Sequence, residues 1–191
     1  SSRYDLLAFM FSENTANRHW NLYYGPQFTF IKDDTQEEIC SPSIDDITIE
    51  IIEYWENRAQ VVKNPLLKMR YTGLVFVFKK KLFNVEPHYR SIKLGHINAL
   101  FEVVNGDYCH YKSIILGYAE RALELSIGFN NRELQDKSVD VFYNAHKRYS
   151  QNDMHPGIWG RIMQSLIKHR PYFAKYEDEI IQEQLGRYER L

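Results

Sequence analysis

The pattern of apolar and polar positions predicts a series of helices, and the clearest lies in the first half of the chain. Apolar side chains recur there with a period near 3.6 residues, at Ile44, Ile47, Ile51, Trp55, Ala59 and Val62. This periodicity predicts an amphipathic helix over Ile44–Val62. Ser43, with Asp46 three residues later, predicts the N-terminal cap of that helix.

The stretch Asn64–Phe83 is strongly apolar on all sides, and we expect it to form the central helix. Asn64 can cap the helix with its side-chain oxygen, and Pro65 suits the first helical position. Lys79–Lys81 place positive charge where a helix C-terminus is partly negative. Within this helix, Thr72–Phe78 is rich in β-branched and aromatic side chains, so a buried strand is the alternative there.

Further helices are predicted on both sides of these two. Because the connection at Asn64-Pro65 is very short, we expect the two helices that it joins to pack roughly antiparallel. The other predicted helices span about residues 3–11, Pro87–Val104, Tyr108–Ile127, Arg132–Tyr149, Pro156–His169 and Lys175–Arg190. A further helical turn is expected near Ala16–Trp20.

Two short strands are predicted near the N-terminus. Aromatic and polar residues alternate over Gln27–Ile31, which is the period of a strand. Glu38–Cys40 is expected to return as the second strand of a β-hairpin. Because a lone two-stranded hairpin is only marginally stable in water, we expect it to pack against helices.

The predicted fold is mainly α, an irregular array of antiparallel helix pairs, tetratricopeptide-like in part, with a small N-terminal β-hairpin. Small residues that permit close helix approach lie in one predicted pair, at Gly117, Ala119, Ala122 and Ala145. No fixed repeat length recurs, so an irregular helical domain and a helical-repeat array both stay open. We expect one domain over 1–191, with 1–42 as an appendage and 43–191 as the array. Since the chain lacks an initiator Met, we expect a fragment of a longer protein.

Charge and cysteine content narrow the function classes. The chain has 191 residues, a formal net charge of −1 and two cysteines. A nearly neutral chain has no general attraction to nucleic acid or anionic membrane, so we expect neither as a partner. Two distant cysteines argue against a disulfide scaffold and fit a reducing, cytoplasmic compartment. No apolar run is long enough to predict a transmembrane helix.

The sequence contains no pattern typical of a metal site, a cofactor site or a catalytic centre. None of the seven histidines has another four residues away, and there is no Cys-x-x-Cys. The Gly-x-Ser-x-Gly, P-loop and dinucleotide glycine patterns are also missing. Cys109, near a predicted helix N-terminus, is a candidate reactive thiol, but burial as a small apolar side chain is the main interpretation. We therefore assign no catalytic residue, cofactor or metal.

Two arginines form a candidate polar network. Arg58 and Arg70 flank the Asn64-Pro65 junction on consecutive predicted helices. Carboxylates close in sequence are Asp45, Asp46, Glu50, Glu53 and Glu56. We interpret the arginines as members of a structural arginine–carboxylate network, with an anion-binding site as the alternative.

Two further surfaces are candidates for binding. Four aromatic residues precede or begin the predicted hairpin: Trp20, Tyr23, Tyr24 and Phe28. They predict either an aromatic surface for a peptide or base, or a small core beneath the hairpin. Lys79–Lys81 could contact phosphate, although a solvated helix end is the simpler interpretation.

Residues 42–78 resemble the N-terminal helical domain of a family of uncharacterised bacterial proteins. In that family a Trp…Tyr-Gly-Pro segment, here Trp20 to Pro26, precedes Pro-Ser-Ile. The other matches are Pro42, Ser43, Ile44, Tyr54, Trp55, Arg58, Ala59, Asn64, Pro65, Leu67, Arg70 and Tyr71. Phe76 stands where the family usually has Trp. The resemblance is specific over about residues 20–80.

The resemblance implies that a further, HEPN-like helical module follows this segment, and it supplies no functional residues to carry over. RNases of the HEPN type use Arg-x-x-x-x-His, and no histidine here has an arginine five positions before it. We therefore expect a non-catalytic helical scaffold or regulatory module that binds a protein partner, its own C-terminal domain or a second copy. The alternative is part of an RNase, toxin-like or phage-defence effector whose catalytic residues lie in that further module.

Overall fold

The computed structural model describes residues 2–16, 30–31, 38–39, 44–106, 108, 112–150 and 163–188. In chain order its elements are α1 (Ser2–Ala16), β1 (Phe30–Ile31), β2 (Glu38–Ile39), a 3-10 helix (Ile44–Asp46), α2 (Ile49–Val61), α3 (Pro65–Phe83), α4 (Glu86–Asn105), α5 (Lys112–Ile127) and α6 (Arg132–Ser150). Residues 163–168 are helical. They are followed by a second 3-10 helix (Arg170–Tyr176) and by α7 (Glu177–Tyr188). The prediction of a mainly α protein is confirmed.

The chain divides into two compact units. Unit 1 spans Ser1–Ala99, and unit 2 spans Leu100–Leu191. The division falls inside the predicted helical array 43–191. The single-domain organisation stays a prediction.

The pair α2 and α3 forms the framework of unit 1. The two helices pack against each other, and α1 packs on both. The buried cluster between them consists of Ala8, Phe11, Ile47, Ile51, Ile52, Trp55, Ala59, Tyr71, Leu74, Val75 and Phe78. Trp55 and Val75 are fully buried, so the apolar face of α2 and the middle of α3 make the core, as the periodicity predicts.

The start of α2 differs from the predicted start. Residues Ile44–Asp46 form a 3-10 helix, and the α-helix begins only at Ile49. Its cap is Thr48, whose Oγ1 accepts from the backbone N–H of Ile51 at 3.4 Å. The cap of the α-helix is therefore Thr48 rather than the predicted Ser43, which lies outside the described residues.

The start of α3 is confirmed in detail. Asn64 Oδ1 accepts from the backbone N–H groups of Leu66 and Leu67, at 3.0 and 3.2 Å. Pro65 occupies the first turn, where its missing N–H leaves no helical bond unmade. Thr72–Phe78 is helical, which decides the open question of helix or strand. The helix ends at Asn84, whose φ of 49° is left-handed.

The strands are very short. Phe30 lies opposite Ile39 and Ile31 opposite Glu38, in an antiparallel pair. These residues belong to the two predicted strand segments, but the connection between them lies outside the described residues. The hairpin as an appendage packed on helices stays a prediction.

Unit 2 is built on the pair α5 and α6. These helices pack against each other, and Ala119, Ala122 and Ala145 are buried in unit 2. Asn131 caps α6 by accepting from the N–H of Leu134 at 3.0 Å. The 3-10 helix Arg170–Tyr176 packs on α6, with Phe173 buried.

Several predicted positions are wrong. The last helix begins at Glu177, because Lys175 and Tyr176 belong to the 3-10 helix. The helical pattern of the sequence places Ile114 and Ile181 on the inward faces of their predicted helices, but 39% and 47% of their surfaces are exposed. The predicted turn near Ala16–Trp20 lies almost entirely outside the described residues, as does the first half of Pro156–His169.

None of the helices that the structure describes is long and apolar enough to cross a membrane.

Candidate functional site

The surface where α1 meets α2 and α3 brings together the most polar contacts in unit 1. Trp55 lies beneath α1, and its Nε1 donates to the backbone carbonyl of Tyr4 at 2.8 Å. Phe11 packs edge-on against Phe78, with ring centroids 5.7 Å apart. These contacts fix α1 along its length, since Tyr4 lies near its start and Phe11 seven residues later.

Asp5 is the centre of this surface. Tyr54 donates its hydroxyl to Asp5 Oδ2 at 2.9 Å, and Tyr71 donates to Asp5 Oδ1 at 2.7 Å. Arg58 Nε lies 3.5 Å from Asp5 Oδ1. We name Asp5, Tyr54, Arg58 and Tyr71 the Asp5 cluster. Its hairpin side supplies two hydroxyl donors and one cation near a single carboxylate, which is the chemistry of carboxylate recognition.

The Arg58 contact is an ion pair rather than a hydrogen bond. Arg58 Nε is buried and has no hydrogen-bond partner among the described residues. Its distance of 3.5 Å to Asp5 still permits Coulombic attraction. Because 42% of the Arg58 side chain and 36% of Asp5 are exposed, solvent screens this attraction and most of the specificity comes from the two tyrosines.

The ionisation of the cluster favours donation to a carboxylate. Burial and the hydrogen bond to Asp5 raise the pKa of Tyr54 and that of Tyr71 above their usual value. The hydrogen bond with Tyr71 and the charge of Asp5 raise the pKa of Arg58. Near neutral pH both tyrosines therefore keep their protons and Arg58 keeps its charge. The three groups remain donors across the physiological range.

Of the two arginines singled out in the sequence, only Arg58 joins this cluster. Arg70 instead lies over the ring of Phe9, with its guanidinium carbon 5.9 Å from the ring centroid. Both arginines thus contact α1. The carboxylate beside Arg58 is Asp5, which is far away in sequence, rather than one of the nearby acidic residues of α2.

Two lysines at the end of α3 pair with carboxylates that we expected near the arginines. Lys79 donates to Glu56 Oε1 at 2.8 Å. Lys81 donates to Asp45 Oδ1 at 3.3 Å. These pairs join α3 to the α2 side of the hairpin, and they account for two of the three charges that could have contacted phosphate.

The predicted aromatic surface falls on Trp20, Tyr23, Tyr24 and Phe28, all of which lie outside the described residues. The same holds for Cys40, Cys109 and three of the histidines: His19, His110 and His155. Within the described ranges, no group of three or more His, Cys, Asp or Glu side chains is placed to hold a metal ion.

A buried histidine, His96, joins α4 to α3. Its Nδ1 lies 3.1 Å from Thr72 Oγ1, which also lies 2.8 Å from the carbonyl of Lys68. Thr72 Oγ1 and His96 Nδ1 are hydrogen-bonded to each other, and the tautomer of the imidazole ring sets which of them donates. Gly73 gives the ring its space, since a Cβ on Gly73 would lie 2.9 Å from His96 Cε1. This histidine has a structural role in helix packing.

In unit 2, His169 lies near a serine and two carboxylates without forming a catalytic arrangement. Ser165 donates its hydroxyl to Glu120 Oε1 at 2.7 Å, and Lys168 pairs with Glu124 at 3.3 Å. His169 is buried, and its Nε2 has no hydrogen-bond partner among the described residues. Burial, with Lys168 nearby, lowers the pKa of His169. An activated serine must donate to the base, whereas here it donates to a carboxylate.

A second tyrosine–carboxylate cluster fastens the C-terminal segment to α6. Tyr176 donates to Asp140, and Tyr143 donates to Glu179 Oε2 at 2.9 Å. The rings of Tyr143 and Tyr176 stack with centroids 3.9 Å apart. Lys175 lies 2.5 Å from Asp140. We name Asp140, Tyr143, Lys175, Tyr176 and Glu179 the Tyr176 cluster.

Sequence reasoning missed the residue on which the site depends. Asp5 lies in a short predicted helix with no motif around it, and Tyr54 and Tyr71 show only as parts of amphipathic helices. The spacing of Tyr54 and Arg58, four residues apart, places them on one helix face and was the one available signal. This spacing does not indicate which residue of another helix contacts the two side chains.

A comparison with protein-family models, with curated proteins and with solved structures finds no match to this chain. The resemblance over residues 42–78 therefore stays a prediction.

Proposed function

We propose that this chain is a non-catalytic helical scaffold or regulatory module that works by binding another helix or protein. The observation that carries the proposal is the Asp5 cluster. Two tyrosine hydroxyls on the α2–α3 hairpin donate to a carboxylate on a separate helix, and the Arg58 cation lies beside it. An indole beneath them holds that helix by its backbone. The chemistry of this surface is helix recognition.

The buried polar groups support the same proposal. His96 is held by Thr72 between two helices. Ser165 is bonded to Glu120. Groups that in an enzyme would be directed at a substrate are here bonded between helices, which stabilises the framework.

The finer parts of the predicted fold belong to this proposal. The close pairing of α5 with α6, with alanines buried in this unit, supports a tetratricopeptide-like arrangement. The proposal also includes a small N-terminal β-hairpin and a reducing, cytoplasmic compartment. The compartment is inferred from the two distant cysteines. The partners that we propose are a protein, a further domain of the same polypeptide, or a second copy.

A hydrolysis assay tests whether this chain is itself catalytic. The purified chain is incubated with single-stranded RNA and, separately, with ATP and GTP, beside the variants His96→Ala and His169→Ala. We expect no cleavage above a no-protein control in any sample. RNA or nucleotide cleavage by the wild-type chain that either variant abolishes would overturn the proposal.

A further inference from the structure

The end of α4 carries the dipeptide Asn105-Gly106, which occurs once in the sequence. Asn105 is the last residue of the helix and is exposed, and Gly106 follows it half-buried. An asparagine side chain cyclises onto the main chain most readily before glycine, because glycine has no side chain to hinder the approach of its own backbone nitrogen. Here the ring of Tyr108 occupies the space that a Cβ on residue 106 would need. The dipeptide is therefore a candidate for spontaneous covalent modification.

The reaction is deamidation, and water is its only co-reactant. The backbone nitrogen of Gly106 loses its proton to solvent and attacks Cγ of Asn105. A C–N bond forms, the bond from Cγ to the side-chain nitrogen breaks, and that nitrogen takes a proton from water and leaves as ammonia. The resulting succinimide ring then adds water and opens to aspartate or to isoaspartate. No atom is oxidised or reduced.

The folded helix keeps the two reacting groups apart. The backbone N–H of Gly106 donates to the carbonyl of Glu102 at 2.9 Å, so the proton that must leave is engaged in a hydrogen bond. Asn105 is helical, and its Cγ reaches the nitrogen of Gly106 only after its dihedral angle ψ leaves the helical value. Deamidation therefore requires local opening of this turn.

A side chain of α6 ties this turn down. Arg148 donates from Nη2 to the carbonyl of Val104, whose carbon is bonded to the backbone nitrogen of Asn105. This carbonyl is one of the last four of α4, which have no partner within the helix. The guanidinium supplies the missing partner, and its charge suits the negative end of the helix dipole. Arg148 thus stabilises the closed form of the turn.

We propose that Asn105 is a site of spontaneous deamidation whose rate is set by opening of the last turn of α4, and that Arg148 holds this turn closed. The modification requires no partner and no active site, so it is independent of the function proposed above. Because ammonia is lost, the loss of one contact between α6 and α4 becomes an irreversible covalent change.

The product weakens the turn in which it forms. Both aspartate and isoaspartate place a new carboxylate at the negative end of the helix dipole. Glu102 lies three residues earlier, and like charges at that spacing repel each other on a helix. Isoaspartate also adds a methylene group to the main chain, so the hydrogen bonds of the last turn no longer fit. Deamidation therefore favours further opening of the helix end.

Matched variants of the full-length chain test the role of Arg148. Arg148→Met removes the bond to Val104. Lys147→Met removes the same charge one residue earlier, where the lysine donates to Glu179 instead. Asn105→Gln is the negative control, since the longer side chain cyclises far more slowly. The chains are incubated in mildly alkaline buffer, and mass spectrometry follows the peptide that contains residue 105 for the replacement of an amino group by a hydroxyl group.

We expect Arg148→Met to deamidate at Asn105 about tenfold faster than the wild-type chain, because the closed turn loses a hydrogen bond to a charged group and the rate follows the open population. Lys147→Met should deamidate at the wild-type rate. An Arg148→Met chain that deamidates no faster than the wild-type chain, or an equal acceleration in both variants, would overturn the inference.

Unfolding the wild-type chain covers the case in which Arg148→Met does not fold, which circular dichroism reveals. In guanidinium chloride that unfolds the chain, we expect Asn105 to deamidate at least about tenfold faster than in the native chain. A native chain that deamidates as fast as the unfolded chain, or an unfolded chain that keeps Asn105 intact, would contradict the proposed site.

Discussion

In each unit a terminal segment packs onto a helix pair. The same kind of aromatic contact holds the segment in both units. In unit 1, Phe11 of α1 packs edge-on against Phe78, with centroids 5.7 Å apart. In unit 2, Phe173 of the C-terminal segment packs edge-on against Phe142, with centroids 5.6 Å apart. Edge-to-face pairs of buried aromatic rings add to the stabilisation from burial alone. The apolar contacts that hold the two terminal segments are therefore equivalent.

The polar contacts of the two units differ in how the tyrosines are arranged. In the Asp5 cluster two tyrosines of the helix pair donate to one carboxylate of the terminal helix, and beside it Tyr4 of α1 donates to Glu50 of α2 at 3.2 Å. In the Tyr176 cluster each side supplies one tyrosine hydroxyl and one carboxylate, and each carboxylate accepts from one tyrosine. The convergence of two hydroxyl groups on a single carboxylate is why we place the proposed recognition function in unit 1.

The largest expected effect tests whether the aromatic contacts of the two units stabilise them equally. Phe78→Ala and Phe142→Ala should each lower the free energy of unfolding of their own unit by about 3–5 kcal/mol, because both side chains are buried among well-packed neighbours. Hydrogen exchange of the amides in α3 and α6 measures each unit separately. Leu67→Ala, at a position that is 40% exposed, is the control and should change little. A cost below about 1 kcal/mol at either phenylalanine would break the comparison.

The next effect concerns two glycines in unit 1. Gly73→Ala should destabilise the contact between α3 and α4 by about 1–2 kcal/mol, because its Cβ would meet the His96 ring at 2.9 Å. Gly95→Ala is the matched variant, since nothing lies within 4 Å of its added Cβ. It should stabilise by about 0.5–1 kcal/mol through helix propensity alone. Urea unfolding followed by circular dichroism gives both values, and a stabilised Gly73→Ala would mean that His96 yields without cost.

A smaller effect compares the hydrogen bonds of the Asp5 cluster with those of the Tyr176 cluster. Tyr71→Phe and Tyr176→Phe should each cost about 1 kcal/mol, as each removes a hydrogen bond to a partly exposed carboxylate. The two should respond similarly to salt. Each cluster includes an ion pair of comparable exposure, Arg58 with Asp5 and Lys175 with Asp140, and sodium chloride screens both pairs. Thermal unfolding of both variants at 0.05 and 0.5 M salt measures this, and a salt response confined to one cluster would contradict the expectation.

The smallest effect is a pH dependence confined to unit 2. Burial lowers the pKa of His169 below its ordinary 6.5, so the unfolded chain takes up a proton before the folded chain does. The neutral imidazole makes its full contribution to the free energy of unfolding above pH 6.5. This contribution is lost as the pH falls toward the pKa of His169 in the folded chain. Between pH 7 and 6 this amounts to at most about 0.7 kcal/mol. His169→Gln should remove the slope in hydrogen exchange of residues 163–168, and an unchanged slope would assign it to another group.

Acid affects the Tyr176 cluster at lower pH. Burial alone would raise the pKa of Asp140, but the hydrogen bonds from Lys175 and Tyr176 outweigh it and lower that pKa. The hydrogen bonds from Lys147 and Tyr143 lower the pKa of Glu179. Burial and the bond to Asp140 raise the pKa of Tyr176 to about 12. The carboxylates therefore contribute stability above their ordinary pKa values and lose it below them, well separated from the range of His169.

Local physics in the sequence determined where most helices lie and where two of them begin. Asn64 and Pro65 fix the start of α3 by bonds within four residues, and Asn131 does the same for α6. The 3.6-residue period of Ile51, Trp55 and Ala59 determined the inner face of α2, because a regular apolar stripe must be buried somewhere. The sequence likewise predicted the helical hairpin from the short junction.

The tertiary structure decided which distant groups meet. Arg58 lies beside Asp5 rather than beside the acidic residues near it in sequence, because the packing of α1 sets which carboxylate approaches the face that carries Tyr54. Thr72 and His96 meet only because α4 lies across Gly73. No periodicity encodes the partner of a side chain on another element. The carboxylate-reading surface on which the proposed function rests is therefore a property of the packed hairpin and α1 together.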